Sequence, residues 1–179
     1  MKKNILLYLV LVLPLAGFPV NAQNKKPRTV RDYFFIVAKK HFSIDCCNGN
    51  INDYLKQYLL VEDTANGYMS GGGDAAQEAF EIALFKRPNS TYLIAFYTEG
   101  EGGVEDTPWC KFFDYKNGKL TDVSKNVVPN YSKEKYIYKL PRKGTTIEVF
   151  EKDENGEDFY RGKKLYDLVW QNGKFSIKK

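Results

Sequence analysis

The first regular pattern along the chain is that of an amphipathic helix. Apolar side chains recur three and four positions apart over Val30–His41, and charged side chains occupy the remaining side. Thr29 and Asp32 have the spacing of a capping box, which predicts that the helix begins here. Residues 50–59 repeat the apolar spacing behind an asparagine cap and predict a second helix that ends near Glu62.

From Asn66 onward the pattern changes to an alternation with a period of two, interrupted by turn signals, which is typical of β-strands. Residues 92–97 are apolar on both sides and predict a central strand. The Asn-Gly pairs at 117–118 and 172–173 predict two-residue hairpin turns, because both turn positions favour a positive φ. The predicted strands cover residues 80–84, 92–97, 109–115, 120–123, 136–140, 145–150, 164–170 and 174–177.

This order of elements predicts an α+β fold. Two N-terminal helices are expected to pack on a strongly twisted antiparallel β-meander of six to eight strands. The alternative architecture is a cystatin-like, cone-shaped sheet wrapped around one helix. Residues 61–79 and 124–135 have weak periodicity, so two connections stay unassigned.

The N-terminal segment has the pattern of a secretory signal peptide. Lys2 and Lys3 precede an apolar run over residues 5–18, and small residues flank a cleavage site after Ala22. Residues 1–22 are therefore expected to be removed, leaving residues 23–179 as a single domain. Because no cysteine lies near the cleavage site, a lipid anchor is not expected, and the predicted location is the bacterial periplasm or the exterior.

Composition narrows the classes of partner. Without the signal peptide, 25 Lys and Arg face 22 Asp and Glu, a near balance that excludes a strongly basic nucleic-acid-binding protein. No later apolar run approaches the roughly 20 residues of a membrane-spanning helix. Nucleic acid is therefore not an expected partner, and no integral membrane segment is expected after signal cleavage. The expected partner is an unknown protein or a glycan.

The three cysteines, Cys46, Cys47 and Cys110, allow at most one intramolecular disulfide. A bridge from Cys46 or Cys47 to Cys110 would tie the N-terminal segment to a strand. A vicinal disulfide between Cys46 and Cys47, or three reduced thiols, are the alternatives. A catalytic thiol would need a base, and His41 is the one histidine in the chain.

An acidic loop follows the predicted central strand. Its four carboxylates could bind Ca²⁺ through hard oxygen ligands or act as a general acid and base. The alternative is a solvated connection without either role. The candidate metal ligands are Glu99, Glu101, Glu105 and Asp106.

Aromatic residues are dense on the predicted strands. Tyrosine and tryptophan are enriched in surfaces that bind carbohydrates, peptides and proteins. One sheet face is therefore a candidate ligand-binding surface, and packing of the sheet against the helices is the alternative. The candidate ligand-binding residues are Tyr97, Trp109, Tyr115 and Trp170.

Two C-terminal segments carry a resemblance to a known group of proteins. Residues 136–147, from Tyr136 to Ile147, and residues 165–175, from Leu165 to Phe175, resemble the C-terminal half of small exported, largely uncharacterised proteins of Bacteroides-type bacteria. The similarity extends to a signal peptide, an early aromatic helix and a β-rich remainder. It implies an exported location and this style of fold, and it carries over no catalytic or binding residue.

These observations favour an exported, non-catalytic binding or interaction module whose ligand is a glycan, a peptide or a protein. No catalytic residue and no cofactor are predicted. The alternatives are a small carboxylate-dependent hydrolase and an inhibitor of a secreted enzyme. An inhibitor would need a protruding loop, for which residues 99–106 and 151–162 are the candidates.

Overall fold

The computed structural model describes residues 27–44, 46–72, 79–99, 108–153 and 161–178. These residues form three layers, in which a six-stranded sheet lies between a pair of helices and a four-stranded sheet. The antiparallel α+β fold predicted from the sequence is confirmed. No helix in the described residues has the length and apolar character needed to cross a membrane.

The helical layer begins where the capping box predicts. Helix α1 (Val30–His41) starts after Thr29, whose hydroxyl accepts a hydrogen bond from the Asp32 backbone N–H at 3.2 Å. The Asp32 carboxylate in turn accepts one from the Thr29 N–H at 2.9 Å. Helix α2 (Ile51–Tyr58) is capped by the Asn50 side chain, as the sequence predicts.

The predicted end of the second helix is wrong. Helix α2 stops at Tyr58, and Leu59–Asp63 forms strand β1 instead of continuing to Glu62. Strand β1 pairs antiparallel with β2 (Tyr68–Gly71). The hydrogen bonds of this pairing outweigh the weak helical preference of the apolar residues after Tyr58. Strand β2 and the end of β1 lie within residues 61–79, whose periodicity is weak.

The six-stranded sheet, called the large sheet below, is a meander in chain order. Each strand pairs antiparallel with the next. Its strands are β1, β2, β3 (Phe80–Lys86), β4 (Tyr92–Thr98), β5 (Trp109–Lys116) and β6 (Lys119–Asp122).

The four-stranded sheet, called the small sheet, is a second meander. Its strands are β7 (Tyr136–Lys139), β8 (Thr146–Lys152), β9 (Arg161–Gln171) and β10 (Lys174–Lys178). The described residues thus contain ten strands in two sheets, where one meander of six to eight strands is predicted. The chain leaves the large sheet at helix α3 (Ser124–Val127), where buried Ser124 accepts a hydrogen bond from the Phe112 N–H at 2.8 Å.

Both faces of the large sheet are buried, which gives the domain two cores. Strand β5 shows the alternation, since Trp109 and Phe113 face the helices whereas Cys110 and Phe112 face the small sheet. The two sheets are also joined by a hydrogen bond from the Trp170 indole N–H to the Lys86 carbonyl at 2.9 Å. Side chains on the inner face of the large sheet therefore point into the core between the two sheets.

Candidate functional site

The predicted aromatic binding face does not exist as one surface. Tyr97 and Trp170 pack in the core between the sheets, whereas Trp109 and Tyr115 pack on the helix side. Trp109 is 2% exposed and Trp170 is 7% exposed, so neither indole is available to a ligand as an open platform. The physical reason is the second sheet, which buries a face that a single meander would leave wet.

The acidic loop lies mostly outside the described residues. Glu99 is described and half-buried, but Glu101, Glu105 and Asp106 are not within the described ranges. Within the described part of the chain, no group of three His, Cys, Asp or Glu side chains is arranged to hold a metal ion. Cation binding by the whole loop therefore stays a prediction.

The predicted bridge to Cys110 is not formed. All three cysteines lie within the described residues, and none of them is in a disulfide. Cys110 is 1% exposed in the core between the sheets, whereas Cys46 and Cys47 pack against the core on the helix side. The large sheet separates the two positions, and burial raises the pKa of the Cys110 thiol well above its ordinary value.

A pocket of about 330 Å³ opens beside the large sheet, and we call it the Tyr97 pocket. It combines apolar walls with a small number of polar side chains, as ligand sites generally do. Its lining residues are Leu60, Ser70, Gly71, Gly72, Ala79, Phe80, Glu81, Tyr97, Glu99 and Arg161.

Strand register brings the polar side chains of this pocket together. Ser70 pairs with Glu81 across β2 and β3, and Glu81 pairs with Tyr97 across β3 and β4. Directly paired residues share one face of an antiparallel sheet, with Cβ atoms about 4.5–5.5 Å apart. Arg161 enters from the start of β9 in the small sheet. Both sheets therefore contribute to the pocket.

Glu81 is a half-buried carboxyl group that lines the Tyr97 pocket. The Leu140 backbone N–H and the Tyr68 hydroxyl favour its ionised form and act to lower its pKa. Burial raises the pKa of Glu81 above its ordinary value, against the opposing effect of Arg161, and the charge of Glu99 contributes in the same direction as burial. Burial of the Tyr68 side chain, together with the charge of Glu81, raises the pKa of Tyr68 to about 12.

The Tyr97 hydroxyl is a polar group of the pocket whose hydrogen-bonding capacity is unmet among the described residues. The side chain is 5% exposed, and its oxygen makes no hydrogen bond with any described residue. Burial, followed by the charge of Glu99, raises the pKa of Tyr97, so the hydroxyl stays protonated. A buried hydroxyl without a partner costs about 1–3 kcal/mol, so a ligand that supplies the missing partner would recover this energy.

A second opening of about 480 Å³ shares Glu81 with the Tyr97 pocket, and its other charged side chains are already paired. The Lys164 ammonium contacts Glu148 at 2.8 Å and Asp167 at 2.8 Å. Arg142 contacts Asp63 of β1 at 3.1 Å. Because these side chains neutralise one another, this opening offers a ligand fewer unmet contacts than the Tyr97 pocket.

Of the site residues predicted from sequence, Tyr97 and Glu99 line the Tyr97 pocket, whereas Glu81 and Arg161 were missed. Glu81 lies between Phe80 and Ile82, and in a strand that alternates apolar and polar residues such a position is expected to face solvent. A signal was present nonetheless, because Glu81 is an isolated charge in an apolar strand next to a strand that is buried on both faces.

Comparison of the chain with family models, with curated proteins and with solved structures finds no match.

Replacing Glu81 with glutamine should change the pH dependence of stability. Because burial raises the pKa of Glu81 above 4.5, the folded protein keeps a proton that the unfolded chain releases. The free energy of unfolding of the wild type therefore falls as pH rises through that interval. We expect Glu81→Gln to gain stability relative to wild type between about pH 4 and neutral pH, measured by urea unfolding at a series of pH values.

Glu148→Gln is the matched control with the opposite sign. A hydrogen bond from Lys164 lowers the pKa of Glu148 in the folded protein. Ionised Glu148 therefore adds to the free energy of unfolding above its unfolded-state pKa, and this gain is lost as pH falls through the folded-state pKa. This variant should lose stability at neutral pH, and the difference should shrink in acid. A Glu81→Gln curve that runs parallel to the wild-type curve would contradict a proton-retaining Glu81.

Proposed function

We propose that the protein is an exported, non-catalytic binding module whose Tyr97 pocket holds a polar group of a glycan or a peptide. The observation that carries this proposal is the buried Tyr97 hydroxyl, which has no hydrogen-bond partner among the described residues. The folded protein carries the free-energy cost of burying this hydroxyl without a hydrogen bond, and a ligand that supplies the missing hydrogen bond would remove that cost.

The chemistry of the lining residues supports a ligand that both donates and accepts hydrogen bonds. Tyr97 can donate and accept, Glu81 accepts when ionised and also donates when protonated, and Arg161 donates. Leu60, 71% exposed, lies at the same pocket and offers an apolar contact. Sugar hydroxyls next to C–H faces, and peptide amides next to side chains, present this mixture.

The binding test is a titration of the purified protein, followed by NMR or calorimetry, with one panel of oligosaccharides and one of short peptides. Tyr97→Phe removes only the hydroxyl, so we expect the Kd of the responding panel to rise about five- to twentyfold, the equivalent of one hydrogen bond of about 1–2 kcal/mol. The same variant should fold at least as stably as wild type, because it loses an unsatisfied group.

Tyr131→Phe is the matched control. The Tyr131 hydroxyl donates to the Cys110 carbonyl at 2.6 Å and lies outside the Tyr97 pocket. Its loss should lower stability by about 0.5–1.5 kcal/mol and leave the Kd unchanged. Equal affinity of Tyr97→Phe and wild type, or no response to either panel, would refute this ligand site.

A second candidate function, a carboxylate-dependent hydrolase, has one observation in its favour. Glu81 and Glu99 line the same pocket, and the pKa of Glu81 is raised, which suits a general acid. Chromogenic glycosides and peptide substrates distinguish the two functions. Turnover that Glu81→Gln abolishes while binding persists would favour the hydrolase, and binding without turnover would favour the module.

Export is part of the proposal. The signal-peptide pattern of residues 1–22 supports it, as does the resemblance of residues 136–147 and 165–175 to exported proteins. N-terminal sequencing of the protein recovered from the periplasm or the medium should begin at Gln23. A protein retained in the cytoplasm with Met1 or Lys2 at its N-terminus would contradict export.

A further inference from the structure

Two neighbouring thiols lie in the turn between α1 and α2. Cys46 and Cys47 are half-buried, and their Sγ atoms are 2.8 Å apart. The Cys47 thiol also lies 3.9 Å from the Gln57 side-chain oxygen on α2. The side chains of adjacent residues in an extended strand point in opposite directions, so this proximity needs a special backbone.

The backbone of this turn is what holds the sulfurs together. Cys46 is extended, with φ −86° and ψ −177°, whereas Cys47 has φ 57° in the left-handed region, which side-chain-bearing residues seldom adopt. The turn closes through the Gly49 N–H to the Cys46 carbonyl and the Asn50 N–H to the Cys47 carbonyl, both at 2.9 Å. Asn50 then caps α2, so the helix fixes the end of the turn.

We propose that Cys46 and Cys47 are a redox-active vicinal dithiol that closes reversibly to a vicinal disulfide by exchange with a low-molecular-weight disulfide. One cysteine thiolate attacks a sulfur of the external disulfide, forms a mixed disulfide and releases one thiolate. The neighbouring thiolate then attacks the protein sulfur of that mixed disulfide and releases the second. The protein loses two electrons and two thiol protons, and the external disulfide leaves as two thiols.

Geometry makes this bond labile rather than structural. Adjacent Cα atoms are about 3.8 Å apart across a trans peptide, whereas disulfides usually join Cα atoms about 4.4–6.8 Å apart. The resulting strain favours reduction. The ring also encloses no further residue, so it constrains the unfolded chain very little. The pair therefore suits a switch in the turn.

The experiment equilibrates the purified protein with defined ratios of oxidised and reduced glutathione, followed by alkylation, digestion and mass spectrometry. In the wild type we expect the peptide that contains both cysteines to become lighter by two hydrogens and to lose alkylation at both positions together. Dithiothreitol should restore both thiols. The melting temperature should stay nearly constant across the series, because the closed ring adds little stability.

Two variants make the result specific. Cys47→Ser removes the second thiol, so glutathione should remain attached at Cys46. Cys110→Ala should leave the oxidation of the pair unchanged, because Cys110 lies in the other core. Full alkylation of both cysteines at every ratio, a stable glutathione adduct as the wild-type end state, or a bridge to Cys110 would each overturn the proposal.

Discussion

Replacing Trp170 with alanine should lower the free energy of unfolding by about 3–5 kcal/mol, the usual cost of truncating a buried large aromatic. The indole packs against Phe175 at 4.9 Å and Phe85 at 5.6 Å between ring centroids, so it fills the junction of the two sheets. Its N–H also donates to the Lys86 carbonyl of the large sheet. The alanine variant would lose both the packing and this cross-sheet hydrogen bond.

Urea unfolding followed by far-ultraviolet circular dichroism measures this loss without relying on tryptophan fluorescence. Trp170→Phe is the control, because it keeps a ring in the core and removes the N–H. It should cost about 1–3 kcal/mol, since it leaves the Lys86 carbonyl without this donor. A Trp170→Ala variant within about 1 kcal/mol of wild type would show that the small sheet does not depend on this anchor.

Local signals in the sequence predict the structure correctly where an interaction between neighbouring residues determines it. The Thr29 and Asp32 capping box begins α1 as predicted. The Asn-Gly turn at 117–118 has φ 52° and 77°, and the turn at 172–173 has φ 52° and 84°, in agreement with the predicted positive values. Strand β4 is central, as its apolar character on both sides indicates.

Long-range pairing decided the features that the sequence did not reveal. The apolar spacing that ends at Leu59 fits a helix, but β2 offers β1 a partner, and strand pairing determines the outcome. The chain leaves the large sheet at Ser124, and the buried hydrogen bond from the Phe112 N–H to the Ser124 hydroxyl at this point leaves no periodic trace in the sequence. Neither effect can be computed from a window of neighbouring residues.

The candidate site illustrates the same limit. Density of aromatic residues on strands does not say which face they occupy, and here both faces of the large sheet are buried. Glu81 and Tyr97 are 16 positions apart in the chain and become neighbours only through the register of β3 and β4. Arg161 joins them from a different sheet. The pocket is thus a product of topology.

The second large effect is expected at Phe34, in the helix-side core. Phe34→Ala should cost about 3–5 kcal/mol, because the ring is fully buried and stacks on Phe80 at a centroid distance of 4.3 Å. Phe35→Ala is the matched control on the same helix. Phe35 is half-buried at the edge of this core, so its loss should cost less than about 2 kcal/mol. Thermal and urea unfolding of both variants measures the difference.

Phe34→Ala also tests whether the core and the Tyr97 pocket depend on each other. Phe80 stacks on Phe34 from one side and lines the pocket, and a Cβ at Gly71 would lie 2.5 Å from the Phe80 ring. The ring is therefore held tightly, and the cavity left by Phe34→Ala gives it room to shift. We expect the ligand identified by titration to bind this variant more weakly at temperatures where it is fully folded. Unchanged affinity with the expected loss of stability would mean that the pocket wall is rigid without its support from α1.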